Sequence, residues 1–194
     1  MRNNDILIAL ALLAFLIVAP FLGVYPVFLM KVLCFGLFAS AFNLLIGYVG
    51  LLSFGHAMFF GFGSYVSAHL IKTGTISLPL MNGQWLTIPL APQPPEVGLV
   101  AAILVTALMG LLVGLIAIRR QGIYFAMVTL ALAQMVYFLC LKAPFTGGED
   151  GIQGVPRRKL FGLFDTSNDL TLYYVVLGVF ALGFLIIHRT IHSP

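Results

Sequence analysis

The sequence predicts an all-α fold: a polytopic bundle of about six transmembrane helices in one domain covering residues 1–194. Hydrophobic residues make up 61% of the chain and charged residues only 8%, whereas soluble domains carry about 25% charged residues. The mean hydropathy is +1.08, and apolar runs of roughly the 20 residues needed to cross a bilayer recur along the chain. Because so few charges cannot cover a water-facing surface, we expect the chain to lie in a lipid bilayer.

The first two apolar runs predict two helices separated by a proline. Ile6–Val24 follows a short polar head that includes Asp5, and it is longer than the apolar core of a signal peptide. It is therefore interpreted as a retained helix. Val27–Ile46 begins just after Pro26, and its Lys31 can extend along the helix to the membrane interface.

The third run, Leu51–Ile71, contains glycine, serine and histidine among its apolar residues. Small residues allow membrane helices to approach closely, so this helix is expected to be surrounded by others. A loop rich in proline and glycine, Lys72–Glu96, follows, and its Trp85 is interpreted as an interface anchor. The remaining predicted spans are Val97–Ile118, Gly122–Leu141 and Leu170–Ile187.

The charges exclude some partners but leave the orientation open. The net charge of +4 is scattered along the chain, and nucleic-acid binding needs a basic stripe or a recognition motif. With six spans and a cytoplasmic N-terminus, the inside basic residues are Arg2, Arg119, Arg120 and Arg189, and the outside ones are Lys31, Lys72, Lys142, Arg157, Arg158 and Lys159. This distribution slightly opposes the positive-inside rule.

Motifs of catalysis and cofactor binding are missing from the sequence. It contains no GxxxxGK[ST] phosphate loop, no HExxH, no CxxC and no GxSxG. We therefore expect no enzyme activity, cofactor or metal, and interpret Cys34 and Cys140 as buried free thiols. The acidic residues lie outside the predicted spans: Asp5, Glu96, Glu149, Asp150, Asp165 and Asp169. Without intramembrane carboxylates, proton-driven transport is disfavoured.

Uncharged polar residues at membrane depth are the remaining candidates for a function. They are Asn43, Ser53, His56, Ser64, Ser67, Thr129 and Gln134. Such side chains either hydrogen-bond to a neighbouring helix or mark a solute pathway. Ser53, His56, Thr129 and Gln134 are the candidates for lining a pathway.

Two stretches carry a resemblance to a known family. The first is GYVGLLSFGHAMFFGFGSYVSAHL, residues 47–70, and the second is RRQGIYFAMVTLALAQMVYFLCLKAPFTGGEDGIQGVP, residues 119–156. The SFGHA block, the GIYFAMVTLA helix and the TGGEDG loop occur in an order and spacing that resemble the permease subunits of high-affinity branched-chain amino acid importers of the ABC class.

The resemblance implies a multi-pass protein of the bacterial inner membrane with a cytoplasmic N-terminus. It also implies three kinds of partner: a second, related permease, two cytoplasmic ATPases and an extracytoplasmic solute-binding protein. The loop expected on the binding-protein side is Thr146, Gly147, Gly148, Glu149, Asp150 and Gly151. From the residues alone, the same loop is equally an ordinary turn, since glycine supplies positive φ and acidic residues favour turns.

The resemblance implies a subunit that imports branched-chain amino acids and forms half of the translocation pathway, with ATP hydrolysed by separate subunits. Family members run further, and their ATPase-docking loop follows a stretch like His192-Ser193-Pro194, so the permease domain is expected to be incomplete at its C-terminus. Two alternatives stay open. One is a related permease for urea, short amides or other amino acids, and the other is a stand-alone channel or carrier.

Overall fold

A computed structural model of the protein describes residues 3–73, 75–79, 85–89, 91–119, 122–162 and 164–191. Arg2, Arg120 and the His192–Pro194 end lie outside these residues, as does the side chain of Trp85. The described helices are α1 (Asn3–Val18), α2 (Pro26–Asn43), α3 (His56–Lys72), α4 (Pro95–Ala117), α5 (Ile123–Lys142) and α6 (Asp169–Ile191). The described strands are β1 (Thr75–Pro79) and β2 (Trp85–Pro89), and short 3₁₀ turns cover Ala19–Leu22, Pro144–Thr146 and Gly148–Asp150.

The predicted class, a polytopic helical membrane protein, is confirmed. Within the described residues, four helices are long and apolar enough to cross a bilayer: Pro26–Tyr48, Pro95–Ala117, Ile123–Lys142 and Asp169–Ile191. The first of these is α2 extended by a π-helical turn, Leu44–Tyr48. The α3 helix has 17 residues, at the lower end of the spanning range. The count of six spans therefore stays a prediction.

The chain forms two compact units, Met1–Ala41 with Asp165–Pro194, and Phe42–Phe164. The core of the first unit consists of residues from the α1 end, α2 and α6: Ala19, Leu29, Met30, Leu33, Tyr173 and Leu177. At its centre is Tyr173, which is fully buried. Cys34 is exposed on α2, so its predicted burial is wrong: it lies on a side of the helix that this core does not cover.

A proline explains the position of the Tyr173 hydroxyl. In a continuing helix, the carbonyl of Leu16 would accept a hydrogen bond from the residue four positions on, but that residue is Pro20, which has no N–H. Tyr173 on α6 donates to this carbonyl at 2.6 Å instead. The bond satisfies a backbone group that the sequence itself leaves without a helical donor.

The second unit is built on α3 packed antiparallel against α4, with α5 beside α3. Two glycines make the α3–α4 contact close. A Cβ added at Gly63 would lie 2.8 Å from the hydroxyl of Thr106, and one added at Gly98 would lie 3.0 Å from Ile71. Only residues without a side chain allow the two helices to approach to this distance.

Residues 72–96, predicted as a loop, contain a two-stranded antiparallel hairpin in which Thr75 pairs with Pro89 and Pro79 pairs with Trp85. The strands (TISLP and WLTIP) contain threonine, isoleucine and tryptophan, residue types that favour β-strands.

Candidate functional site

The third helix begins at His56, five residues after the predicted start, because side chains take the preceding N–H groups. The Ser53 hydroxyl accepts a hydrogen bond from the backbone N–H of Gly55 at 3.3 Å. The N–H of Phe54 donates to the hydroxyl of Thr129, on α5, at 3.2 Å. Residues that offer such bonds compete with helix formation. The SFG segment therefore forms a turn that is tied to α5.

Ser53 and Thr129 form a buried junction between the start of α3 and α5. Their exposed fractions are 5% and 2%. The Thr129 hydroxyl also donates to the carbonyl of Ala126 at 3.0 Å. A Cβ on Gly55 would lie 2.9 Å from the Thr129 carbonyl oxygen, so glycine is required there. Both predicted pathway hydroxyls are thus used in contacts within the chain.

His56 lies near the same end of α3 but in an aromatic environment. It is half-buried, and its ring centroid lies 5.6 Å from that of Phe42 and 6.2 Å from that of Phe59. The structure therefore places this third candidate beside aromatic rings.

Gln134 lines an open cleft of about 310 Å³ that runs along α3 and α5. The lining residues are Phe54, Ala57, Met58, Gly61, Phe62, Tyr65, Leu130, Ala133, Gln134, Val136, Tyr137, Cys140 and Leu141. Apart from Gln134, the polar groups are the hydroxyls of Tyr65 and Tyr137 and the thiol of Cys140. The two tyrosines were not singled out from the sequence, although their helical spacing from Gly61 and Gln134 was a signal for them.

The TGGEDG loop is attached to the end of α5 by its threonine. Thr146 has an exposed fraction of 0%. Its hydroxyl lies within hydrogen-bonding distance of two carbonyls, that of Ala143 at 2.7 Å and that of Cys140, and shares its single proton between them. The residue four positions after Cys140 is Pro144, which has no N–H to offer. A hydroxyl again supplies the bond that a proline removes, and Thr146 serves the helix end.

The loop's glycines adopt the left-handed conformation that its turns require. Gly147, Gly148 and Gly151 have φ values of +80°, +66° and +67°. A Cβ on Gly147 would lie 2.5 Å from the carbonyl oxygen of Gly151, so glycine is required at 147. Glu149 and Asp150 occupy the turn between these glycines and are exposed. The loop is therefore a double turn that displays two exposed carboxylates.

Three side-chain hydrogen bonds connect the segment after this loop to the C-terminal end of α3 and to the region where α4 begins. Lys72 donates to the carbonyl of Gln153 at 2.5 Å, and Arg158 donates to the carbonyl of Pro92 at 3.1 Å. The Glu96 carboxylate accepts from the backbone N–H of Phe161. Since these contacts involve the C-terminal end of α3 and the region where α4 begins, the loop lies at the opposite end of α3 from Ser53.

Among the described residues, no group of three or more His, Cys, Asp or Glu side chains is arranged to hold a metal ion. The site features are therefore the buried Ser53–Thr129 junction, the aromatic surroundings of His56, the cleft with Gln134, and the loop with its two exposed carboxylates.

Comparison with known proteins gives one family and two relatives. The family described as "Branched-chain amino acid transport system / permease component" matches residues 25–191. Two relatives, from Salmonella typhimurium (strain LT2) and Escherichia coli (strain K12), are described as "High-affinity branched-chain amino acid transport system permease protein LivM". Each is 30% identical over 175 residues, which cover 78% of this chain and 37% of the relative. The chain thus spans little more than a third of these relatives' length. No solved structure matches.

Proposed function

The chain belongs to the family of branched-chain amino acid transport permeases, and from this premise we propose that it is a membrane subunit of an ATP-driven importer of branched-chain amino acids. It is a multi-pass transport permease in which half of the translocation pathway is formed by this subunit. The observation that carries the proposal is the family match over residues 25–191, which includes α2 to α6.

The cleft along α3 and α5 supports the solute class. Its walls are mostly apolar, and a small number of polar groups interrupts them. Binding sites for small molecules have this composition, because apolar walls desolvate the ligand and a few polar groups orient it. An aliphatic amino acid suits such walls better than urea or a short amide does.

The four polar candidates contribute to the pathway in different ways in this proposal. Gln134 faces the pathway directly, because its amide lies on the exposed side of α5. Ser53 and Thr129 position the start of α3 against α5 through their buried hydrogen bonds. His56 forms part of the wall at the same end, together with the rings of Phe42 and Phe59.

The partners in this proposal are those of an ABC importer of the bacterial inner membrane. A second, related permease supplies the other half of the pathway, two cytoplasmic ATPases hydrolyse ATP, and an extracytoplasmic binding protein delivers the amino acid. The exposed carboxylates of Glu149 and Asp150 support the assignment of the TGGEDG loop to the binding-protein side, since exposed charges steer a docking partner.

Uptake of radiolabelled leucine by cells with and without the chain tests the proposal. We expect uptake to require the chain and to be lost when cellular ATP is depleted. An artificial proton gradient imposed on the ATP-depleted cells separates an ATP-driven importer from a carrier. Leucine uptake restored by that gradient contradicts the proposal.

A competition assay tests the solute class. Excess unlabelled isoleucine and valine are expected to suppress leucine uptake, whereas excess urea and acetamide leave it unchanged. Suppression by urea or acetamide but not by isoleucine would assign the chain to a different solute.

A further inference from the structure

Gly61 is a glycine that neither the backbone nor the packing of α3 requires. It lies inside the helix, which begins at His56, and its φ is outside the left-handed region. Glycine destabilises a helix interior relative to alanine, because it loses more conformational freedom on folding. Outside its own stretch of helix, no atom of the described residues lies within 4 Å of a Cβ built on Gly61. A larger residue would therefore fit at this position and would favour the helix.

Two neighbouring glycines differ from Gly61 because packing does require them. A Cβ on Gly55 would lie 2.9 Å from the Thr129 carbonyl oxygen, and one on Gly63 would lie 2.8 Å from the Thr106 hydroxyl. Each of these two glycines lets another helix approach closely, as small residues do in membrane bundles. The space beside Gly61 belongs instead to the cleft along α3 and α5, which Gly61 lines. Its missing side chain therefore keeps the cleft open.

The two helices that border the cleft run in the same direction. At the start of α3, the backbone N–H of Phe54 donates to the Thr129 hydroxyl of α5. Further along α3, the rings of Phe62 and His69 have centroids 6.3 Å and 6.0 Å from that of Phe145. Since Phe145 follows the end of α5, both helices extend from the junction at Thr129 toward the same end of the cleft.

Gly61 and Gln134 consequently lie at nearly the same depth on the two walls of the cleft. Gly61 is five residues after His56, and Gln134 is five residues after Thr129. At the 1.5 Å rise of an α-helix, each is about 7.5 Å further along its helix than the junction. Ala133, which also lines the cleft, is at almost the same depth on α5.

The walls of the cleft at this depth are small and mostly apolar. Ala57, one turn before Gly61, and Ala133 carry only a methyl group each, and both line the cleft. The volume of the cleft is about 310 Å³, which is at the lower end for small-molecule sites. In an apolar site, one methylene group of the ligand changes discrimination by roughly 10- to 200-fold. A single added methyl group on the wall should therefore be felt.

We propose that Gly61 is a specificity-determining residue, whose missing side chain gives the pathway the width that a branched aliphatic side chain needs beside Gln134. The inference rests on the function proposed above, and it assigns part of the selection among amino acids to the permease itself. The Gln134 amide offers both donors and an acceptor for the polar end of the amino acid. The aliphatic end then occupies the space at Gly61, where a larger residue excludes a long side chain before a short one.

Paired uptake rates of isoleucine and valine test this assignment. The two amino acids are both β-branched and differ by one methylene group. The ratio of their rates, each measured at a saturating concentration in the same cells, does not depend on the amount of protein. We expect Gly61→Ala to lower the isoleucine-to-valine ratio about tenfold, the lower end of the range for one methylene group, and Gly61→Val to lower it further.

Gly114→Ala is the matched control. Gly114 is a half-buried glycine inside α4 with the same open space around an added Cβ, and it does not line the cleft. The substitution therefore makes the same change in a helix of the same subunit without narrowing the cleft. Its isoleucine-to-valine ratio is expected to equal that of the unmodified chain.

A second substitution separates a change in width from a folding defect. Ala133→Gly removes a methyl group from the other wall of the cleft and is unfavourable for the α5 helix. Added to Gly61→Ala, it is expected to raise the isoleucine-to-valine ratio again. A gain of stability cannot explain such a recovery, because Ala133→Gly lowers the helix propensity of α5.

Four results would overturn the proposal. Isoleucine and valine uptake that fall in equal proportion in Gly61→Ala would indicate a packing contact of Gly61 with another helix or subunit. An unchanged ratio in both Gly61 variants, a ratio lowered equally by Gly114→Ala, and a loss of both solutes that Ala133→Gly does not relieve are the others. In all four cases the unmodified chain still imports both amino acids, so the proposed function stands. If the unmodified chain imports neither, the proposed function fails and this inference fails with it.

Discussion

Thr146→Val tests the idea that hydroxyls replace the hydrogen bonds that prolines remove. The substitution exchanges a fully buried hydroxyl for a methyl group of similar size. In the native chain this hydroxyl bonds the carbonyls of Cys140 and Ala143. The Ala143 carbonyl retains a second bond from the backbone N–H of Thr146 at 3.3 Å. The Cys140 carbonyl has no such reserve, because Pro144 offers no N–H.

The expected cost of Thr146→Val is therefore that of one buried carbonyl left without a donor, about 1–3 kcal/mol. For a chain of this size, about 1 kcal/mol corresponds to roughly 2–4 °C in thermal midpoint, so the midpoint should fall by roughly 2–12 °C. Circular dichroism of the protein in detergent micelles provides the measurement.

Two further variants make the Thr146 result specific. Thr146→Ser keeps the hydroxyl and should retain most of the stability. Glu149→Gln changes an exposed residue of the same loop and should shift the free energy of unfolding by less than about 0.5 kcal/mol. If Thr146→Val and Thr146→Ser unfold at the same temperature, the hydroxyl does not stabilise the end of α5 and the reasoning is wrong.

Three further substitutions test other parts of the structure. Tyr173→Phe removes the donor to the Leu16 carbonyl and should destabilise the protein by about 1–3 kcal/mol in the same thermal assay; an unchanged midpoint would contradict it. Gly55→Ala places a methyl group 2.9 Å from the Thr129 carbonyl oxygen, so overpacking should lower the free energy of unfolding by about 1–3 kcal/mol. Gly61→Ala, which has open space around the added methyl group, is the control. His56→Ala should reduce leucine uptake while membrane insertion, measured by fractionation and immunoblotting, is retained; wild-type uptake would remove His56 from the pathway.

Hydropathy predicted the helices because the free energy of transferring apolar side chains into lipid is a local and nearly additive property. The start of α3 could not be predicted in this way. Leu51 and Leu52 extend the apolar run, but the segment turns because Thr129, far away in the sequence, accepts a hydrogen bond from Phe54. Hydropathy also carries no information on the hairpin of residues 75–89, which depends on pairing between two short segments.

The sequence predicted the candidate residues by their type, and the structure then separated buried ones from exposed ones. Ser53 and Thr129 appeared equivalent to Gln134 in the sequence, since all three are uncharged polar residues in predicted spans. The structure separates them, because the two hydroxyls are buried in a junction and the amide is exposed. Which side of a helix is covered depends on tertiary packing. The roles of Tyr173 and Thr146 could be inferred in part, since Pro20 and Pro144 each leave a carbonyl without its helical donor.

Leucine uptake by a Gln134→Leu variant tests most directly the central claim that the exposed face of α5 forms part of an amino acid pathway. The assay uses cells lacking the native chain, with the amounts of variant and wild-type protein in the membrane matched. The control is Leu108→Ala, which changes an aliphatic residue on the exposed side of α4, where Leu108 is 59% exposed. We predict about a tenfold lower uptake rate for Gln134→Leu, equivalent to 1.4 kcal/mol, and wild-type uptake for Leu108→Ala. Full uptake by Gln134→Leu would contradict the claim.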